Sequence, residues 1–124
     1  MLGGIGIDLV EIGSIEDMIS SNERFVNRVF TKGEIGDCEG RFSRFQHYAA
    51  RFAAKEAVMK ALGSGWNLGV QWKDIEVVRV DGAAPTVRLH KKAKLLAKQK
   101  SVNAIHLSLS HSDNYATAIA ILEA

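Results

Sequence analysis

A chain of 124 residues with a single cysteine is long enough to bury a core in one domain spanning 1–124, and an internal disulfide is excluded. Hydrophobic residues make up 47% and charged residues 24%, which excludes disordered and collagen-like classes. The net charge of +2 is too small for general nucleic-acid binding, so an anionic partner has to be met by local patches.

The opening stretch "MLGGIGIDLVEIGS" has no basic start and is interrupted by Asp8 and Glu11. It reads as neither signal peptide nor membrane span, and a cytoplasmic protein with no membrane partner is expected. Ile5, Ile7 and Leu9 alternate with Gly4, Gly6 and Asp8, the period of a strand; the isoleucines are expected in the core and Asp8 on the other side. A helix is expected from about Ile12 to Ile19 and a short turn from Glu23 to Val29. "TKGEIGDCEGRFSR" is glycine-rich and reads as irregular or short helical structure; its Cys38 reads as a passive thiol that suits a reducing compartment.

The long helix should run from Phe45 to Leu62 and end at the glycines of "GSG", Gly63 and Gly65. Ala49, Phe52, Ala53, Glu56, Met59 and Lys60 share one side, and Ala54, Val58, Ala61 and Leu62 another, so the helix should be largely enclosed. Glu56 stands in the middle of an apolar stripe, where a carboxylate needs a paired charge or a metal. The simplest partner is Lys60, in an i,i+4 pair worth only a few tenths of a kcal/mol. Beyond it, "DIEVVRV" and "PTVRLH" read as strands around a "DGAA" turn that leads into Pro85. "KKAKLLAKQK" reads as a solvated lysine-rich helix with Leu95 and Leu96 inward. Ile105, Leu107 and Leu109 alternate with His106, Ser108 and Ser110 before "HSDN" and "YATAIAIL", a C-terminal hairpin.

Asp8 and Glu56, from distant segments, are candidates for a hard-cation site. Mg²⁺ suits them, since it keeps several waters and takes one or two carboxylates plus substrate phosphates. Lys60 can neutralise charge on a phosphoryl centre, the "GSG" backbone can approach a phosphate, and His111 stands at a turn where a phosphate ligand fits. Other chemistries find less support. Ser110, His111 and Asp113 are too close in sequence to converge as a triad, four histidines and one cysteine lack zinc spacing, and neither a Walker A loop nor a complete dinucleotide fingerprint is present.

"GIGIDLVEI", "RFAAKEAVMKALGSG" and "LSLSHSDNYATAIAILE", with "RVFTKGE" between the first two, together resemble the holo-acyl-carrier-protein synthase family of small 4′-phosphopantetheinyl transferases, in order and spacing over nearly the whole chain. The resemblance implies an α+β fold, a single compact domain with an antiparallel sheet packed on a long central helix. It implies transfer of 4′-phosphopantetheine from coenzyme A to a serine of apo acyl carrier protein, with release of adenosine 3′,5′-bisphosphate. By similarity Asp8 and Glu56 hold Mg²⁺, and Lys60 lies beside the pyrophosphate. Glu56 is the general base, directly or through a metal-bound water. His111 and Ser112 match positions near the 3′-phosphate, while Arg51 and the loop Gly63, Ser64 and Gly65 belong to the phosphate-cradling motif. A homotrimer with active sites at subunit interfaces is also implied.

The chain departs from the family pattern at a few places. Ser14 stands where an arginine meets the acidic carrier, leaving Arg24 and Arg28 as basic positions on that side. "GAAP", Gly82 to Pro85, replaces an N-G-x-P turn near the nucleotide, and Ser64 replaces a threonine. Arg41 and Arg44 are candidates for holding the 3′-phosphate from a neighbouring subunit. Two competing readings follow: a catalytically weak homologue that only binds coenzyme A or a carrier, and a basic nucleic-acid module resting on the lysine helix alone.

Overall fold

The computed structural model describes residues 1–63 and 68–124, so Ser64 and Gly65 of the expected phosphate loop lie outside the described residues. Its organising element is an alanine-rich helix. In chain order the elements are β1 (Leu2–Glu11), α1 (Ile12–Ser21), α2 (Phe25–Val29), α3 (Lys32–Cys38), α4 (Arg44–Leu62), β2 (Ile75–Val78), β3 (Thr86–Leu89), α5 (Lys91–Gln99), β4 (Ala104–His111) and β5 (Tyr115–Glu123). The expected helices and the hairpin are all present, and the glycine-rich stretch supplies α3, started by a Thr31–Glu34 capping box.

Two antiparallel sheets form: β1-β5-β4, and the smaller β2-β3. Helix α4 packs across the larger sheet, with Ala53, Ala54 and Ala57 facing Ala118, Ala120 and Leu122 in a shared core. Small residues on both surfaces let backbones come close. A second cluster joins Ile12, Ile15, Phe30 and Cys38 to the N-terminal half of α4 at Tyr48 and Ala49. There Cys38 is fully buried and desolvation pushes its thiol up to about 11, so it is inert as a nucleophile.

The structure reverses one expectation. Ile5, Ile7 and Leu9 are exposed at 58%, 63% and 65%, and the Gly4, Gly6 and Asp8 side of β1 faces α4 instead. A methyl group on Gly6 would run into the carbonyl oxygen of Ala57, and one on Gly4 into that of Ala61. Strand and helix touch main chain to main chain, which only glycine permits. Period-2 alternation identified the strand, but it does not say which face is inward. The outer face gathers its own apolar rows, since Ile5 pairs with Ile121 and Ile7 with Ile119. Leu95 is a second correction: it is 55% exposed, and α5 buries Ala93, Leu96 and Ala97.

A buried polar network fixes α4 to its surroundings. Lys55, fully buried, pairs with Glu34 at 2.8 Å and donates to the carbonyls of Trp72 and Ile75 at 3.1 and 2.5 Å. Glu34 in turn accepts from the amides of Thr31 and Val77 at 2.8 and 2.9 Å. Burial lowers the lysine pKa while Glu34 opposes that shift. Next to this pair the Thr31 hydroxyl donates to Glu76, which also bonds His90. Burial acts to raise the Glu76 pKa, but these hydrogen bonds from His90 and Thr31 prevail and hold it low.

Candidate active site

Asp8 lies on β1 opposite Ala118 of β5, and the Thr117 hydroxyl donates to its main-chain carbonyl at 2.8 Å. The close approach of β1 to α4 carries the Asp8 side chain to the last two turns of that helix. There Lys60 Nζ bonds Asp8 Oδ1 and the Ile7 carbonyl, each at 3.0 Å. Lys60 therefore pairs with Asp8, and the local i,i+4 pair with Glu56 is not formed. Glu56, half-buried on the same helix face, has a raised pKa through desolvation and the nearby Asp8 carboxylate, partly offset by Lys60.

Burial and the Asp8 carboxylate make the Glu56 charge costly, and Lys60, paired with Asp8, offsets only part of that cost, an arrangement that a cation relieves. Among the described residues no group of three or more His, Cys, Asp or Glu clusters, so an all-protein metal cage is not what is built. A Mg²⁺ ion that keeps water and takes phosphate oxygens fits two carboxylates. At the end of α4, Gly63 has φ +96°, and its amide turns back to the carbonyls of Met59 and Lys60. It acts as the helix stop.

A cleft of about 550 Å³ opens at the other end of α4, and Arg41, His47, Arg51, Arg79 and Pro85 line it. Arg51 is 6% exposed; it reaches Asp37 at 3.7 Å and the His47 carbonyl at 3.4 Å, and among the described residues its Nε has no hydrogen-bond partner. A buried guanidinium N–H without an acceptor is costly, and an anionic oxygen entering the cleft would supply one. The His47 pKa is lowered by desolvation, then by Arg51 and His111; His111 itself lines a separate recess with Ser110, Ser112 and Thr117. Ser112 is used differently: its hydroxyl accepts from the amides of Asn114 and Tyr115 at 3.4 and 3.2 Å and shapes the hairpin turn.

Of the two arginines expected to reach a phosphate, Arg41 lines the cleft and donates to the Asp37 carbonyl, whereas Arg44 is held by Glu39 at 3.3 Å and lies over the Phe45 ring. Ser14 is exposed on α1 and donates to Glu11. Sequence reasoning missed His47 and Arg79. His47 precedes Arg51 by one helical turn, a spacing that places both on one face; Arg79 follows β2 and carried no such signal.

The chain as a whole has counterparts among known proteins. A family profile described as the 4′-phosphopantetheinyl transferase superfamily matches residues 4–120. A holo-[acyl-carrier-protein] synthase of Moorella thermoacetica is 48% identical over 119 residues, covering 95% of this chain and 91% of that protein. The crystal structure of the Neisseria meningitidis enzyme of that name superposes with a TM-score of 0.91 at 25% identity over all of both chains. That of Bacillus anthracis, in complex with coenzyme A (3′,5′-ADP), gives 0.81 at 35% identity, covering 98% of this chain and 96% of that one. With its sequence matched almost end to end and its fold superposed, the chain belongs to the 4′-phosphopantetheinyl transferase superfamily, among the holo-[acyl-carrier-protein] synthases.

Proposed function

We propose that this chain, acting as one catalytic unit over 1–124, transfers 4′-phosphopantetheine from coenzyme A to a serine of apo acyl carrier protein, in the cytoplasm and in the service of fatty-acid biosynthesis. The observation that carries this reading is the meeting of Asp8, Glu56 and Lys60 where β1 touches α4. The serine oxygen attacks the β-phosphorus, the pyrophosphate P–O bond breaks, and adenosine 3′,5′-bisphosphate leaves with the bonding electron pair. Glu56 takes the serine proton, directly or through an intervening water. Lys60 faces the pyrophosphate and, with Asp8, fixes its position. Asp8 and Glu56 would hold Mg²⁺, which would supply positive charge to the phosphate oxygens. Arg51 and Arg41 in the cleft, with Pro85 on its wall, take the nucleotide end together with His111 from the recess it shares with Ser112; Gly63, Ser64, Gly65 and Ser112 complete the binding set.

Incubation of the protein with coenzyme A, Mg²⁺ and apo acyl carrier protein should add the mass of one phosphopantetheine to the carrier. Chelation or Asp8→Asn should remove that gain. A carrier left unmodified by protein that still binds coenzyme A would favour a binding-only homologue.

The assembly in this reading is a homotrimer with its active sites at subunit interfaces. The exposed row of Ile5, Ile7 and Leu9, flanked by Ile119 and Ile121, supports it as an apolar surface in need of a partner. Light scattering should report three chains, and Ile7→Asp should yield smaller species.

A further inference from the structure

A second cleft, of about 600 Å³, lies between β3, α5 and the start of β4. Its volume falls in the usual range of small-molecule sites. Val87, Leu89, Val102 and Ile105 form an apolar floor, each half-buried and packed against the main core. At the rim stand Lys94 and Lys98, both exposed, one turn apart on a helix that has no acidic residue. Among the described residues neither lysine is ion-paired. Like charges four residues apart repel, so the pair gains from an anion placed between them.

We propose that this cleft seats an aliphatic chain with an anionic head, a medium-chain fatty carboxylate, with the chain on the apolar floor and the carboxylate between Lys94 and Lys98. The shape follows from the order of these residues, with the cations at the mouth and no charged group on the floor. β3 and β4 are edge strands of separate sheets that pack against each other, and with α5 they bound the apolar floor on which the chain lies. None of the lining residues belongs to the Asp8–Glu56–Lys60 group or to the Arg51 cleft. The two sites are therefore separate, and the inference stands whether or not the transfer reaction is as proposed.

The test is calorimetric titration of the full chain with decanoate below its micelle concentration, with decanol as the uncharged probe. Decanoate should bind saturably at one equivalent per chain, and saturating coenzyme A should leave that binding in place. The pair Lys94→Glu/Lys98→Glu should weaken decanoate by about tenfold or more while leaving decanol unchanged. Should the reversal disturb folding, Lys94→Ala/Lys98→Ala should give a smaller loss in the same direction. Absence of saturable binding, displacement by coenzyme A, or equal loss of both probes would each overturn the assignment.

Discussion

Replacing Glu56 with glutamine is expected to cut phosphopantetheine transfer by about 10²–10⁴-fold, the span associated with loss of a positioned general base. The change keeps size and hydrogen-bonding shape but removes the charge, so the fold should persist. It also removes the like-charge strain against Asp8, and thermal stability should be unchanged or slightly higher. Steady-state assay of the carrier product, read beside the unfolding midpoint, separates the two effects. Undiminished turnover would remove Glu56 from both the base and the ligand roles.

The largest effect on stability is expected at the Lys55–Glu34 pair. Lys55→Met should cost about 3–5 kcal/mol, because it leaves the buried Glu34 carboxylate without its counter-ion and takes a donor away from the carbonyls of Trp72 and Ile75. Glu34→Gln should cost a comparable amount by stranding the ammonium. Lys55→Met combined with Glu34→Gln should recover part of the loss, since no uncompensated charge then remains. Urea midpoints of the four proteins measure this coupling directly. Additive losses would mean that the two side chains act independently.

How much of this was open to reading in the sequence differs from element to element. Helix α4 was legible to within a residue, because alanine content and a glycine stop are local signals. Asp8, Glu56 and Lys60 were legible as a group through motif spacing, although their meeting depends on a long-range contact that no local pattern encodes. The sense of β1 was misread: hydropathy ranks isoleucine above glycine for burial, whereas here closeness of main chains decides the inward face. The Glu34–Lys55 pair was hidden for the opposite reason. Both look like surface charges until β2 and the carbonyls beyond it close over them. Arg79 entered the cleft through the course of a turn, which sequence composition does not specify.

The backbone contact of Gly4 and Gly6 with Ala61 and Ala57 has a mechanical consequence. No side chain separates strand from helix there, so the placement of Asp8 beside the Glu56 end of α4 follows from a main-chain joint rather than from the fit of deformable side chains. Volume changes elsewhere in the core should alter how firmly the protein holds together long before they alter that placement. Under the proposed transfer reaction, adaptation to a new carrier would then proceed on the surrounding surfaces without retuning the reacting centre.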